Sequence, residues 1–482
     1  MRKASTLLMV GTLALGLAAS SGAQVDFTHY VALGDSLTAG VASFGLVEGI
    51  QKGSYPALLA RQAGVASTFQ QPTVGFPGLP TTLELKALTI TSQGVSPTIV
   101  PRSGIGQPTN ATLARPYNNL GMDGADTNDI LTIKGAITNL AADLQKYAAG
   151  QVSKVVYSAD LVLRNGQNTA VELALAQQPT FLTVWAGNND VLGAALVGVV
   201  MDGVTMTTAA EFEQQYQTLL GTLRAGAASA KIVVATIPDV TAIPYVFTVK
   251  PYLINPANGQ RIPLIGEAGL VTENDFLLLG ASSLLAKGIG IPVAAGGTGQ
   301  PLPEGKIDQS GLQAGVILRA AEVQAIRKRT AELNAIIKTT AASVGAKVVD
   351  MHAIFNDIQA NGRVVGGVRL SSAFLTGGLF SYDGVHPQAL GYALVANEFI
   401  RVINSELGGR LSEVSLREFL PMASAATSVA ASQVIFSAQA AVEMARSNFP
   451  NVDTSRLVVR SSPVRRHLGA APEVVLETPN EP

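Results

Sequence analysis

The sequence predicts an α/β fold in which helices cover a central parallel sheet. Short apolar runs of β-forming residues alternate with segments of helical periodicity, and this alternation is typical of parallel sheets. Several of these runs end in clusters of glycine and polar residues, at the sheet edge where such folds bind ligands. The 482 residues can also bury one large core or two.

The alternation of predicted strands and helices extends over most of the chain. Apolar residues of the helical segments recur on one face, and each later helix leads directly into a strand. The predicted strands are 30–33, 180–185, 231–236 and 346–349, and the predicted helices are 208–228 and about 320–341. The strand, helix, strand order therefore recurs, as a parallel sheet requires.

Three strand ends carry the polar clusters. They are Gly34-Asp35-Ser36, Gly187-Asn188-Asn189-Asp190 and Asp350-Met351-His352. The loops at this edge are held by a rigid scaffold, so we expect a functional site there.

Two long insertions interrupt the predicted domain, which covers 24–410. The first, near 68–115, is rich in Pro, Gly and Thr, and the second, near 250–305, contains an apolar run and a Gly/Pro tract. Loops of this length are usually functional or flexible, so they would form walls or a lid of the site, or else surface excursions without a role.

The composition excludes several classes of function. The 33 Lys and Arg residues nearly balance the 34 Asp and Glu residues, so there is no basic field to attract nucleic acid. The chain has no cysteine, which excludes disulfides, a thiolate nucleophile and a Cys-ligated zinc site.

The N-terminus predicts export. Two early positive charges, a short apolar run from about Leu7 to Ala19 and the small residues Ser21 and Ala23 form the pattern of a signal peptide over 1–23, cleaved after Ala23. The apolar run is shorter than the ~20 residues that span a bilayer. We therefore expect a periplasmic or secreted protein.

The C-terminal part is predicted as a helical segment over 411–460 and a disordered tail over 461–482. Residues 420–442 carry no charge but contain many hydroxyl and amide groups, which favours a helix packed on the protein or on a surface over one that spans a membrane. The sequence does not decide whether this helix contacts a membrane surface. The tail has four prolines and scattered charge.

A serine at a strand end is the first candidate for chemistry. Gly34-Asp35-Ser36-Leu37 follows the first predicted strand, so the Ser36 hydroxyl would lie at the sheet edge beside helix N–H groups. The tetrapeptide also suits a structural turn that caps a helix. A serine hydroxyl is a weak nucleophile and needs a base to accept its proton.

Two of the four histidines are suited to be that base. His386 lies three residues after Asp383 in a polar turn, so the carboxylate can reach the imidazole and fix its tautomer. We therefore prefer His386 to His352, which follows Asp350 at a strand end and remains a competitor. The structural alternative is that Asp383 only caps the next helix.

An oxyanion in acyl transfer needs preorganised hydrogen-bond donors. Asn189 has a side-chain amide to donate after a strand end, and Gly124 has a backbone N–H that no side chain shields. Both residue types are also common in turns.

Together these segments resemble the GDSL lipases and esterases of the SGNH hydrolase superfamily. The resemblance spans roughly 30 to 403, and the segments occur in the family's order. They are 31–40, 119–125, 187–190 and 383–387. The chain has no Gly-x-Ser-x-Gly elbow, which argues against an α/β-hydrolase.

The resemblance implies a three-layer αβα, flavodoxin-like fold and an esterase that works through an acyl-enzyme without metal or organic cofactor. It implies that Ser36 is the nucleophile, His386 the base and Asp383 the residue that orients it. The oxyanion hole would be the Ser36 N–H, the Gly124 N–H and the Asn189 side chain. Because Gly121 precedes Gly124 in the same segment, the resemblance does not decide which of the two glycines donates its N–H.

The substrate is less closely defined by the sequence. Apolar segments in the insertions favour a lipid-like or short-to-medium acyl ester. Deacetylation of acylated sugars is an alternative, although the one tryptophan, Trp185, offers few stacking platforms. A non-catalytic binding protein on the same fold is a third reading. The oligomeric state is not predicted.

Overall fold

The computed structural model describes residues 25–91, 94–255, 257–420, 434–458 and 474–477. The predicted signal peptide over 1–23 lies outside the described residues, as do 421–433 of the predicted C-terminal helix and most of the predicted tail.

The strands and helices have the following bounds. The strands are β1 (Tyr30–Gly34), β2 (Leu83–Thr91), β3 (Gly94–Pro101), β4 (Asn119–Gly121), β5 (Phe181–Trp185), β6 (Lys231–Ala235), β7 (Tyr252–Ile254), β8 (Arg261–Pro263), β9 (Ile265–Gly266), β10 (Gly269–Leu270), β11 (Phe276–Leu277), β12 (Lys306–Asp308), β13 (Gly311–Gln313), β14 (Ile317–Leu318), β15 (Lys347–Val349), β16 (Arg363–Val365), β17 (Val368–Leu370), β18 (Ile435–Phe436) and β19 (Val474–Glu477). The α-helices are α1 (Ser36–Ala39), α2 (Glu48–Gln51), α3 (Tyr55–Gln62), α4 (Thr127–Thr132), α5 (Leu140–Ala148), α6 (Lys154–Leu163), α7 (Ala170–Ala176), α8 (Asn189–Val197), α9 (Ala209–Gly226), α10 (Pro244–Phe247), α11 (Ala281–Leu285), α12 (Ala320–Ser343), α13 (Met351–Asn361), α14 (Ala389–Leu407) and α15 (Ala438–Arg446). Short 3₁₀ helices occur at Ile137–Asn139, Val293–Ala295, Leu416–Phe419 and Ser455–Leu457.

The centre of the fold is a five-stranded sheet in the order β15-β6-β5-β1-β4. Every neighbouring pair of strands in it is parallel, with Ala32 of β1 opposite Thr183 of β5 and Asn119 of β4. The predicted parallel sheet is therefore confirmed.

Both faces of this sheet are buried, because alternate residues of its strands pack into two different cores. In β1, Val31 and Leu33 join a core that includes residues of α9 and α12. Tyr30 and Ala32 point to the other face and pack with residues of α3 and α14. This helix, sheet, helix arrangement is the three-layer αβα architecture that the family resemblance implies.

The predicted elements are present with small changes at their ends. The predicted helix over 208–228 is α9, and the helix over 320–341 is α12, which extends to Ser343. Strand β4 was not predicted, since its three residues, Asn119-Leu120-Gly121, form no apolar run. Its neighbour β1 supplies the pairing that makes it a strand.

The two inserted regions contain short antiparallel strand pairs. In the first, β2 and β3 form an antiparallel hairpin. In the second, β7 pairs with β8 and β9 with β10, while β11, from the predicted apolar run, pairs with β14 beyond the insertion. These hairpins lie outside the central sheet.

Two strands of the C-terminal part, β18 and β19, flank the β2-β3 hairpin of the first insertion. Together they form a second sheet, in the order β18-β3-β2-β19. Part of the stretch predicted as one uncharged helix is strand β18, and α15 begins only at Ala438, where the Ser437 hydroxyl accepts the Ala440 N–H. A serine cap favours a helix start at that position. In the predicted disordered tail the structure describes 474–477, which form β19. Among the described residues, no helix has both the length and the apolar character needed to cross a bilayer.

Candidate active site

Ser36 is presented by the sharp junction between β1 and α1. It is the first residue of α1, and Asp35 caps this helix by accepting the Leu37 N–H at 3.0 Å. A side chain at Gly34 would place its Cβ 2.3 Å from the Trp185 carbonyl oxygen, so only glycine permits the close approach of β1 and β5 at this junction. Ser36 is 5% exposed, which leaves its hydroxyl at the bottom of a depression.

Asp383 and His386 form a buried pair. The His386 Nδ1 lies 2.8 Å from Asp383 Oδ2, and the two residues are 2% and 0% exposed. The other carboxylate oxygen accepts the backbone N–H groups of Val385 and His386, both at 2.8 Å. Asp383 thus holds the backbone and the ring of the histidine together.

The surroundings of Asp383 keep it ionised. Burial raises the pKa of its carboxyl, but the nearby imidazole of His386 and the hydrogen bonds to the carboxylate outweigh burial and hold the pKa below its usual value. Nδ1 must therefore carry the proton in the pair, and Nε2 is the nitrogen that remains to act as a base.

The Asp383 carboxylate is also held by the turn at Ser43 and Phe44, which the sequence analysis did not predict. The Phe44 N–H donates to Asp383 Oδ2 at 2.6 Å, and the Ser43 N–H donates at 2.7 Å to the Ser381 hydroxyl, which in turn donates to Asp383 Oδ1 at 3.1 Å. Ser43 and Phe44 both adopt left-handed backbone angles, with φ of 51° and 74°. No sequence signal marks the turn, because glycine or asparagine would be expected at such angles.

Ser36 and His386 line the same cavity, which is open to solvent. Asn188 also lines it, and the remaining walls are apolar. They are Leu37, Leu192, Pro238, Val240, Ile243, Phe355, Phe380, Val385 and Pro387. The structure therefore brings the predicted nucleophile and the predicted base to one apolar cavity at the carboxyl edge of the sheet.

The competing histidine lies elsewhere. The half-buried ring of His352 is 3.3 Å from the Asn356 side chain on α13, and it is not part of the cavity wall. This placement favours His386 over His352 as the base.

Asn189 does not face the cavity, in contrast to the prediction. Its side-chain N–H donates to the Ala125 carbonyl at 2.9 Å, and its side-chain oxygen accepts from Asn448 at 2.9 Å. Its neighbour Asn188 lines the cavity instead and donates to Asp35 at 2.7 Å. Successive residues at a helix start point about 100° apart, so only one of the two amides can face Ser36.

The side-chain oxygen of Asn188 is buried and has no hydrogen-bond partner in the described part of the chain. The Asp35 carboxyl that accepts from Asn188 is fully buried, and burial raises its pKa to about 6 against the lowering effect of the hydrogen bonds from Asn188 and Leu37. Asp35 and Asn188 thus form a second buried pair directly beside Ser36.

The two candidate glycines differ in what their N–H groups do. The Gly121 N–H donates to the Asn119 side chain at 3.0 Å and is therefore occupied. The Gly124 N–H donates to no group in the described ranges, and neither does the Ser36 N–H. Gly124 has a left-handed φ of 85° but does not itself line the cavity. Of the two glycines, Gly124 keeps the free donor that an oxyanion hole requires.

A buried ion pair stabilises the turn at Gly124. Lys154 lies 2.8 Å from Asp123, and their side chains are only 5% and 1% exposed. The stem of Lys154 passes so close to Gly124 that a Cβ there would lie 2.7 Å from Cγ. The Lys154 ammonium also lies 5.5 Å from the Phe44 ring centroid, so it connects this turn to the turn that holds Asp383.

In the ranges that the structure describes, no group of three or more His, Asp and Glu side chains is arranged to hold an ion.

Comparison with known proteins identifies a matching family. A family model described as GDSL-like Lipase/Acylhydrolase matches residues 30–399. A search of curated proteins finds no match.

Solved structures of esterases and lipases are similar at low identity. A catalytic mutant of an acetylxylan esterase from Geobacillus stearothermophilus is 13% identical with a TM-score of 0.33, over 79% of this chain and 95% of that one. Phospholipase A1 from Streptomyces albidoflavus is 15% identical with a TM-score of 0.29, over 78% and 98%. The lipase/acylhydrolase from Enterococcus faecalis is 13% identical with a TM-score of 0.29, over 80% and 98%.

Proposed function

Because the chain belongs to the GDSL-like lipase/acylhydrolase family and is a carboxylic ester hydrolase, we propose that it is an exported serine esterase with Ser36 as its nucleophile. One observation carries the proposal: Ser36 shares an apolar cavity with His386, whose Nδ1 is held 2.8 Å from an ionised, buried Asp383.

The reaction proceeds in two halves on these residues. His386 Nε2 accepts the proton of the Ser36 hydroxyl as its oxygen attacks the ester carbonyl, and the resulting imidazolium then protonates the leaving alcohol. In the second half, His386 takes a proton from water as the water attacks the acyl-enzyme carbonyl, and it then gives this proton to the Ser36 oxygen as the bond to the acyl group breaks and the acid leaves. Asp383 remains ionised throughout and stabilises the imidazolium.

The oxyanion of each tetrahedral intermediate needs donors beside Ser36. We assign this role to the N–H groups of Ser36 and Gly124 and to the side-chain amide of Asn188. Asn188 replaces the predicted Asn189 because it lines the cavity, whereas Asn189 is bonded to Ala125 and Asn448. The Asp35 carboxylate orients the Asn188 amide.

The apolar cavity favours a lipid-like or short-to-medium acyl ester as substrate. Nine of its lining residues carry apolar side chains, and such walls favour hydrocarbon over hydroxyl-rich groups. Trp185 is fully buried in the core between the sheet and α14, so it provides no platform on which a sugar could stack. This burial counts against a sugar deacetylase.

Export is the remaining part of the proposal. It is supported by the charged N-terminus, the short apolar run and the small residues before Gln24. The mature enzyme would then act in the periplasm or outside the cell.

The nucleophile is tested by Ser36→Ala on a short-chain chromogenic ester, with Ser310→Ala in an exposed turn as the matched control. We expect kcat to fall by about 10⁴ or more in Ser36→Ala, because the acyl-enzyme cannot form, and to stay near wild type in the control. Unchanged turnover by Ser36→Ala would refute the proposal. Activity confined to acetylated polysaccharide would replace the lipid-like substrate by an acylated sugar.

A further inference from the structure

The C-terminal turn, residues 447–449, follows α15 and contacts the helices α6 and α8 beside the active site. It lies beyond the residues that the family model matches, 30–399. Helix α6 begins at Lys154, whose stem packs on Gly124, and α8 begins directly after Asn188. A segment outside the family match therefore reaches the side of the site that holds the assigned oxyanion donors.

Two contacts fix the C-terminal turn against these helices. The Ser447 carbonyl accepts the N–H of Lys154 at 2.9 Å, and Ser447 is buried. The ring of Phe449 packs on Gly193 of α8, where a Cβ would lie 2.6 Å from the ring. Asn448 lies between these two contacts and faces the start of α8.

Asn448 is connected to the Gly124 turn through two consecutive hydrogen bonds. Its side-chain N–H donates to the side-chain oxygen of Asn189 at 2.9 Å. The side-chain N–H of Asn189 in turn donates to the Ala125 carbonyl, also at 2.9 Å. Because the Ala125 carbonyl can only accept, Asn189 must direct its N–H to Ala125 and its oxygen to Asn448.

The side-chain oxygen of Asn448 gains nothing from this arrangement. It is buried and has no hydrogen-bond partner within the ranges that the structure describes. A buried oxygen without a partner lowers stability, and an apolar side chain would avoid that cost. Packing alone therefore does not explain an asparagine at this position, whereas its hydrogen bond to Asn189 does.

The Gly124 N–H is held in place by the groups on either side of it. The Asp123 N–H before it donates to the Ser158 hydroxyl at 2.7 Å. The Ala125 carbonyl after it is held by Asn189. A donor that is free to move must be reoriented when the oxyanion forms, and this lowers the stabilisation it gives.

We propose that Asn448 is a positioning residue for the oxyanion hole, which acts through Asn189 and Ala125 to hold the Gly124 N–H in place. This inference rests on the proposed function and adds to it a residue from outside the family match. Asn448 touches neither the substrate nor Ser36. Its effect is on the transition state, through the orientation of a donor that does touch the oxyanion.

The test is Asn448→Ala, with kcat and KM measured on p-nitrophenyl butyrate well below the melting temperature of the variant. We expect kcat to fall by about tenfold with KM near wild type, because a displaced oxyanion donor raises the barrier without weakening substrate binding. Asn448→Asp keeps the shape of the side chain but cannot donate when ionised. It should lower kcat at least as much, and it replaces the alanine variant if that variant does not fold by circular dichroism.

Ser437→Ala is the matched control in the same segment. The Ser437 hydroxyl accepts the Ala440 N–H at 3.1 Å and so caps the other end of α15. Its loss weakens this helix but leaves the contact between Asn448 and Asn189 intact. We expect its kcat to stay near wild type.

A double variant separates this role from a general effect on stability. If Asn448 acts through Asn189, Asn448→Ala should lower kcat little further when Asn189→Ala is already present. A loss of stability alone would leave kcat unchanged in both single variants at a temperature where they are folded.

A wild-type kcat in the folded Asn448 variants would overturn the inference. An equal loss of kcat in Ser437→Ala, or losses that simply add in the double variant, would also overturn it. None of these results would touch the proposed function as long as hydrolysis still requires Ser36. Absence of Ser36-dependent turnover on every ester would overturn the proposed function itself.

Discussion

Asn188 is the residue whose role the structure changes most. Its amide donates to the buried carboxyl of Asp35 and lines the cavity next to Ser36, while Asn189 is held by Ala125 and Asn448. A donor held in place before the reaction stabilises the oxyanion without reorganisation.

We therefore expect Asn188→Ala to lower kcat by about 10²–10³ with little change in KM, because the lost hydrogen bond is made mainly in the transition state. Asn189→Ala is the neighbouring control and should lower kcat far less. Steady-state kinetics on a short-chain ester measures both. A large loss of kcat in Asn189→Ala with a mild one in Asn188→Ala would return the role to Asn189.

The sequence could not decide between these two amides. The pattern Gly187-Asn188-Asn189-Asp190 contains two equivalent side chains, and which of them faces the cavity depends on the angle at which α8 leaves β5. The Asp383 and His386 pairing was accessible from the sequence, because a spacing of three residues in one turn brings the groups together locally. The supporting turn at Ser43 and Phe44 was not, since its contacts to Asp383 cross more than 300 residues.

At the scale of elements, a buried acidic cluster joins the starts of α4 and α8. The Asp190 carboxylate accepts the N–H and the hydroxyl of Thr127 at 3.0 and 2.9 Å. Asp126 and Asp129 lie beside it at the cap of α4. Burial, together with the charge of Asp126, raises the pKa of Asp190 to about 7.

This cluster predicts a pH-dependent stability. A raised carboxyl pKa means that the folded chain binds a proton more tightly than the unfolded chain, whose Asp pKa is about 3.9. The free energy of unfolding therefore falls as pH rises between these two values. We expect the melting temperature of wild type to increase on acidification from about pH 8 to about pH 5, and Asp190→Asn to show a weaker increase.

Thermal unfolding, followed by circular dichroism at each pH, measures how the melting temperature changes with pH. Asp357→Asn, at an exposed carboxylate on α13, is a control that should keep the wild-type change of melting temperature with pH. If the melting temperatures of wild type and Asp190→Asn changed equally with pH, the cluster would not hold the extra proton.

Elements with strong periodicity were predictable, and short ones were not. The helices α9 and α12 and the strands β1, β5 and β6 were found from the sequence because their own residues carry the pattern. Strand β4 and strand β18 are three and two residues long and exist through pairing with distant neighbours. That pairing also explains why the uncharged C-terminal stretch is not one continuous helix.

At the scale of the whole molecule, the central sheet brings segments from both ends of the chain to one edge. Ser36 follows β1, Asn188 follows β5, and His386 lies just before α14. This convergence could be expected from the parallel topology. The second sheet and the apolar cavity could not, because they depend on how the insertions and helices pack.

Export is a prediction about the whole chain. When the full sequence is expressed in a bacterial host, we expect activity in the periplasm or the medium and a mature N-terminus at Gln24. N-terminal sequencing of the purified protein checks the cleavage position. Leu13→Arg, which places a charge in the apolar run, should keep the protein uncleaved inside the cell. A secreted fraction that still begins at Met1 would contradict the predicted signal peptide.

The central claim is that Ser36 is a nucleophile activated by His386. Its most direct test is reaction of the folded protein with a fluorophosphonate probe, followed by mass spectrometry of the peptides. We predict one modified residue, Ser36, with labelling lost in Ser36→Ala and strongly slowed in His386→Ala. An unlabelled wild-type protein, or a label on another serine that persists in Ser36→Ala, would contradict the account.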